Sequence, residues 1–331
     1  MLQMLNFLAI GNGRYVATLE AGSLYFPNKI TLPSGYHVRS LGYWREYLAI
    51  GTYQGENLSD YQEGKIFFWD GISDTYNFYI SVPEGGVNAM FGTRDLLFVS
   101  AGSKGEILVY TGQGNAEKLE QIPRVETGEE IEVSPGAVNM YNTLICFGIA
   151  IESDSSNLYK GLYTYGTLNK NYPYSLGFDY ETSLGEQVSN NVKIGMVYPS
   201  GGDLYIGWSN SNAFGIDKID MDNDQYATAS IEQLIVDADK ISKDKVNLIV
   251  RADFSALESG QEIRVKYKLD RDDAWIYSDW EDTEGAEELR LRIHNPSKEI
   301  QIGADLSSTI STQVELYGLS VQLEDGDQRE I

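Results

Sequence analysis

A unit of about 50 residues recurs along the first two-thirds of this chain, and a repeat of that period restricts the fold more than any single residue does. The first part of the unit is a short apolar run ending in a small residue. It reads Leu8-Ala9-Ile10-Gly11, then Leu48-Ala49-Ile50-Gly51, Leu97-Phe98-Val99-Ser100, Cys146-Phe147-Gly148 and Leu204-Tyr205-Ile206-Gly207. A second part follows each run: Gly22 to Phe26, Gly64 to Gly71, Gly105 to Gly112, Gly161 to Gly166 and a degenerate Ala213 to Asp217. A third part precedes each new unit, around Val38, Val87, Val138 and Val192, at steps of 49, 51 and 54 residues. The runs are short, rich in Val, Ile, Phe and Tyr, and bounded by Gly, Asn, Asp and Ser, which is strand patterning. Strands at this period fit the blades of a β-propeller, where stacking around an axis buries the faces that a lone blade leaves in water. About five blade-like units are visible. The apolar run, with its Ala, Gly and Ser, is expected to be the innermost strand. Trp69 is expected to pack between blades, and Asp70-Gly71 to form its hairpin turn. Two readings of the propeller stay open: a small closed one with a strand supplied from nearer the second domain, or the later part of a longer array.

After Tyr226 the pattern changes to period-two alternation. Seven segments carry it, from Ile231–Asp237 and Lys245–Ala252 through Ile263–Leu269, Trp275–Trp280, Leu289–Ile293 and Ile300–Ala304 to Val314–Leu323. Their polar partners are mostly Lys, Arg and Glu, as a half-buried strand requires, and the set predicts a β-sandwich of jelly-roll or immunoglobulin-like type. The domains are therefore set at 1–228 for the propeller-like repeats and 229–331 for the sandwich. Trp275 and Trp280 are assigned to the sandwich core, with a surface site as the other reading.

Twenty-five Lys and Arg against 49 Asp and Glu give a formal net charge of −24. Such a chain lacks the basic stripe that phosphate backbones need, which argues against specific nucleic-acid binding and against docking on anionic lipid. No apolar run is long enough for membrane insertion, and the N-terminal residues show no secretory leader. Two His and one Cys exclude a Cys/His zinc site and an intrachain disulfide. Cys146 sits in an apolar run and reads as a buried small hydrophobe.

Motifs that carry chemistry are few. No phosphate loop and no serine-hydrolase elbow occur, and Gly11-Asn12-Gly13 is a turn rather than part of a dinucleotide fingerprint. His37 and His294 read as structural or merely exposed. No catalytic or cofactor-binding residue is assigned, and no cofactor is expected beyond a possible Ca²⁺. For that ion the candidate ligands are Asp220, Asp222 and Asp224, whose alternate spacing suits an oxygen-loving cation, although the Gly and Glu of an EF-hand loop are missing. Glycosidases on propellers use paired acids near the axis. Here the ends of the apolar runs are uncharged, and the loop acids Glu56, Asp60 and Glu152 show no blade-to-blade correspondence. Tyr159, Tyr163, Tyr165, Tyr172, Tyr174 and Tyr180 cluster, supplying either blade packing or a contact surface for protein or sugar partners.

The order of parts, with apolar repeats running through Phe214–Asp220 into a strand-rich domain that carries Ile263–Asp270 and closes with Gln313–Val321, resembles virion structural proteins of tailed bacteriophages. In these, propellers precede a sandwich in tail, nozzle or tail-tip components. The resemblance implies a non-enzymatic structural role in the virion, with partners that are copies of the chain itself and neighbouring tail or connector proteins. The alternative is a propeller adhesin binding a host surface glycan or receptor, and after it a carboxylate glycosidase.

Overall fold

The computed structural model describes residues 1–4, 6–20, 24–55, 62–122, 130–151, 161–167, 174–181, 192–210, 213–219, 228–233, 235, 248–270, 274–310 and 312–323. The described residues are all-β: a propeller of five blade-like sheets followed by a β-sandwich. Backbone contacts divide the chain into Met1–Asp220 and Met221–Ile331.

Blade 1 holds β1 (Leu2–Met4), β2 (Phe7–Asn12), β3 (Tyr15–Glu20) and β4 (Leu24–Thr31). Blade 2 holds β5 (His37–Trp44), β6 (Tyr47–Tyr53), β7 (Gly64–Trp69) and β8 (Phe78–Val82). Blade 3 holds β9 (Val87–Gly92), β10 (Leu97–Ala101), β11 (Glu106–Tyr110) and β12 (Glu117–Gln121). Blade 4 holds β13 (Ile131–Tyr141), β14 (Leu144–Ile151), β15 (Gly161–Gly166) and β16 (Ser175–Glu181). Blade 5 shows β17 (Lys193–Ser200), β18 (Asp203–Ser209) and β19 (Phe214–Ile219). Each blade is an antiparallel meander in chain order, and the bridge Ala150–Lys193 links blades 4 and 5 into one sheet.

The first strands β5, β9, β13 and β17 pack against one another from blade to blade. They are the innermost strands, and the apolar run expected there is the second strand of each blade. The correction has a steric reason. The small residue ending the second strand faces across to the next blade, where it admits an aliphatic side chain of that blade's first strand. A methyl group added at Gly11 would lie 2.5 Å from Val38 Cγ1, at Gly51 2.5 Å from Val87 Cγ1, and at Gly148 2.2 Å from Ile194 Cγ2. Real Cβ atoms do not approach so closely, so glycine is required there. Strand pairing also shifts the repeat. Opposite the residue after each small one stand Val38, Val87, Val133 and Ile194. In blades 4 and 5 these replace the Val138 and Val192 of the sequence alignment.

Apolar faces meet between the blades. Phe7, Ala9, Val16 and Ile30 of blade 1 pack with Leu48, Ile50, Phe67 and Trp69 of blade 2. The other face of blade 2, with Ala49, Ile66 and Phe68, packs with Leu97, Val99, Leu108 and Tyr110 of blade 3. Each fully buried side chain of this kind contributes about 1.5–3 kcal/mol. Trp69 is fully buried, its indole N–H donating to the Ser73 carbonyl at 2.7 Å, and Gly71 adopts positive φ, as the sequence indicates. Asp70 closes that turn by accepting from the Ile72 and Ser73 amides.

The sandwich pairs one sheet of β20 (Thr228–Glu232), β25 (Ile300–Ser308), β22 (Gln261–Leu269) and β23 (Ile276–Tyr277) with another of β24 (Glu288–Ile293), β21 (Leu248–Phe254) and β26 (Leu316–Leu323). Alternate residues such as Val250, Ala252, Ile263, Val265, Ile302 and Leu306 fill its core. Period two then sends the other residues of β22, Arg264 among them, to the outer face.

Candidate functional site

The outer face of the β22 sheet brings together a group of charged and aromatic side chains. Arg264, Lys266 and Lys268 alternate along β22, and Lys266 stands directly opposite Tyr277 of β23. The Arg264 guanidinium lies 4.1 Å from the ring centre of Tyr277 and 4.5 Å from that of Trp280. The ammonium groups of Lys266 and Lys268 lie 4.9 and 4.8 Å from the ring of Trp275. Three aromatic rings are thus held in a row over three cations. Tyr277 is 46 % exposed and Trp280 37 %. The assignment of Trp275 and Trp280 to the core is corrected: Trp275 is half-buried against two ammonium groups, and Trp280 is exposed. Their position follows from the pairing of β23, which sets Tyr277 on the face of Lys266 rather than of Val265.

Beneath the rings is an ion-pair network. Lys266 Nζ donates to Ser230 Oγ at 2.6 Å and Glu232 Oε1 at 2.9 Å, and lies 3.0 Å from Asp305 Oδ1. Arg264 reaches Asp305 Oδ2 at 2.9 Å. Lys266 crosses β25 over Gly303, where an added methyl would lie 2.7 Å from Lys266 Cε. Burial works to lower the Lys266 pKa, but Glu232 and Asp305 outweigh it and the net shift is upward. Burial works to raise the Asp305 pKa, and Lys266, Ser230 and Arg264 outweigh it, so the net shift is downward. Both groups are therefore held charged.

The second candidate is one end of the propeller. Each first strand of blades 2 to 5 carries a β-bulge at the same level: at Arg39, at Asn88, over Ser134–Ala137 and at Gly195. Bulges re-aim side chains. Arg39 of blade 2 pairs with Glu132 of blade 4, reaching past the inner strand of blade 3. Asn88 is fully buried and donates to the Gly102 carbonyl at 2.6 Å. Asn88 Oδ1 and Arg39 Nε are buried with no hydrogen-bond partner among the described residues. At the same end His37 packs against Tyr53, the rings tilted by 32° with centroids 5.5 Å apart. Tyr36 donates to Glu63 at 2.7 Å, and Lys65 lies 3.2 Å from the same carboxylate. Those hydrogen bonds, Tyr36 first, hold the Glu63 carboxyl below its ordinary range. Glu84 pairs more loosely with Lys104 at 4.0 Å. Glu132, Glu63 and Glu84 at this end thus each have a cation beside them. Among the described residues the carboxyl whose pKa is raised is Asp179, half-buried on β16 at the blade periphery, where it accepts from Thr164 at 2.5 Å.

The remaining sequence candidates fall as follows. Asp220, Asp222 and Asp224 lie outside the described residues, as do Glu56, Asp60, Glu152, Tyr159 and Tyr172. Among the described residues no group of three acidic, His or Cys side chains is placed to hold a metal ion. Cys146 is buried, and burial pushes its thiol up to about 12. His294 is exposed. Tyr163 is buried, Tyr165 and Tyr180 are half-buried, and Tyr174 is 64 % exposed.

No family model matches the sequence, and no curated protein does. Solved structures match at the level of layout. An exo-β-1,3-galactanase from Phanerochaete chrysosporium, solved with galactose, is 8 % identical over 97 % of this chain and 96 % of its own, with a TM-score of 0.32. A family 43 arabinoxylan arabinofuranohydrolase from Bacillus subtilis is 9 % identical over 96 % of this chain and 76 % of its own, with a TM-score of 0.32. A family 32 β-fructofuranosidase from Bombyx mori, in complex with sucrose, is 10 % identical over 97 % of this chain and 88 % of its own, with a TM-score of 0.30. These matches correct the reading as a non-enzymatic tailed-phage component located in the virion: the structures the chain is similar to are glycoside hydrolases, and the virion assignment is withdrawn. The order of a propeller and then a sandwich is a layout, and layout does not carry function.

Proposed function

We propose that this protein binds carbohydrate, with the row Trp275, Tyr277 and Trp280 on the outer face of the sandwich as its binding surface. The observation that carries the reading is that these rings lie half-open to solvent on the outer face of a sheet while cations pack against them. A pyranose presents an apolar C–H face that stacks on such rings, and its hydroxyls pair with charged and amide groups at the ring edges. Rings already held in place lose little conformational entropy on binding. The test is calorimetric titration of the full chain with neutral oligosaccharides. Trp280→Ala and Tyr277→Ala should each weaken binding by at least about tenfold, as for aromatic anchors. Binding unchanged in both variants, or none by the wild type across a broad glycan panel, rejects the reading.

A second reading, cleavage of a glycoside at the bulged end of the propeller, is favoured by the Arg39–Glu132 pair there. Hydrolysis needs two carboxyl groups, one of them protonated. The sequence candidates for the second acid are Glu56, Asp60 and Glu152. Reducing-end release from glycans by the wild type, lost in Glu132→Gln without loss of sugar binding, would establish it.

A further inference from the structure

We infer that the outward face of blade 5 docks the first blade of a second copy of this chain, head to tail. The inference stands apart from the carbohydrate reading. It rests on an interface that the propeller already repeats. In blades 1, 2 and 4 the face of the second strand that carries the small residue meets the next blade, and in blades 2 and 3 the opposite face meets the preceding one. Blade 1 shows the first face to blade 2 through Phe7, Ala9 and Gly11. Blade 2 does so to blade 3 through Ala49 and Gly51, and blade 4 to blade 5 through Gly148.

In blade 5 the corresponding residues are Tyr205, Gly207 and Ser209, paired with Lys218, Ile216 and Phe214 of β19. Phe214 is 88 % exposed and Ile216 69 %. On the inner strand Tyr198, opposite Tyr205, is 56 % exposed. A methyl group added at Gly207 would meet only Met196 of its own inner strand, at 3.3 Å. At Gly11, Gly51 and Gly148 it would strike the next blade. Blade 5 therefore carries the docking face of the repeat, the small residue included, with its aromatic and aliphatic side chains in water.

The complementary face is also on this chain. In blade 1 the side opposite Phe7 and Ala9 carries Leu8, Ile10, Leu19 and Tyr25, with Leu8 paired to Leu19 and Leu19 to Tyr25. Leu19 is 38 % exposed and Tyr25 55 %. The fitting occupant is thus a blade of this same repeat. Contact between two different faces is heterologous, so association propagates or closes as a ring. Copies of a chain with charge −24 repel one another, and added salt favours the contact.

The experiment is light scattering on the full chain over a concentration series at moderate salt. The mass should rise with concentration above that of one chain. Phe214→Asp with Ile216→Asp should weaken association by at least about tenfold, and so should Leu19→Asp on the other face. All these residues are exposed, and unchanged circular dichroism checks their folding; Phe214→Ser and Tyr25→Ser are the milder pair if an Asp variant misfolds. Mixing the two disabled chains should restore pairs that grow no further, because each retains one intact face. A wild type that stays at one chain throughout overturns the inference in favour of contact within the chain. Association lost on the blade 5 change but untouched by both the Leu19 and the Tyr25 change also overturns it, since the interface would then join two copies of blade 5.

Discussion

At the scale of single residues, burial decides which groups are available for chemistry. Cys146 lies on the second strand of blade 4, walled in by the sheet, and its thiol is pushed up to about 12. Thiolate is the reacting species, so the native protein should resist a thiol reagent at about pH 8 and react only on unfolding. A comparison of labelling rates with and without denaturant checks this, and rapid native labelling would contradict the burial. Lys266 is the opposite case, a buried cation kept charged by Glu232 and Asp305. Lys266→Met would leave Asp305 with only Arg264 and the Ser230 hydroxyl and should cost about 2–3 kcal/mol, below the full range for an unpaired buried charge. The lowered Asp305 pKa makes its share of this stability present above the ordinary Asp value of about 3.9, and it is lost as pH falls through the lowered folded value. The raised Lys266 pKa makes its share present below about 10.4, to be lost as pH rises through the folded value. The wild-type advantage in denaturant unfolding should therefore be flat around pH 7 and shrink at both extremes. A constant difference across that range would place the effect in packing instead.

At the scale of elements, the spacing between small residues and aliphatic residues one blade on is what assembles the propeller. Gly51→Val places a branched side chain against Ser40 Oγ and Val87 Cγ1, both 2.5 Å from the new Cβ. It should destabilise by about 3 kcal/mol or more as overpacking. Gly207→Val meets only Met196 at 3.3 Å and should cost far less. Thermal unfolding of the two variants side by side checks the contrast, and equal losses would mean that the glycines serve the strand and not the interface. Much of this was legible beforehand. The repeat, the small residues, the burial of Trp69 and the seven strands of the sandwich all stand in the amino-acid pattern. Which strand lies innermost was not, because an apolar run with a small end suits either of two adjacent strands. Only the pairing Val38–Thr52 and its equivalents place the run second. The bulges that carry Arg39 and Asn88 were hidden for a related reason: an extra residue in one strand has no signature of its own and also displaces the alignment, as at Val138 and Val192. The aromatic row was visible as Trp275 and Trp280, but its face depends on a register that alternation alone leaves free by one residue.

At the scale of the whole molecule, charge sorts the ligands that the aromatic surface can take. A chain at −24 surrounds that surface with a negative field, and the cations under the rings are already paired or stacked. Stacking on a neutral sugar involves no net charge, so its affinity should stay constant as salt rises from about 0.01 M to 0.15 M, where the screening length falls from about 30 to about 8 Å. A polyanionic glycan meets long-range repulsion, so its binding should be weaker at low salt and improve with screening. Affinity electrophoresis of the full chain through gels carrying neutral or polyanionic polysaccharide, at both salt concentrations, separates the cases. Retardation by the neutral polymer alone, insensitive to salt and lost in Trp280→Ala, is the expected outcome. Retardation by the polyanion that weakens with salt would require a locally positive surface, and would transfer the site from the rings to Arg264, Lys266 and Lys268 beneath them.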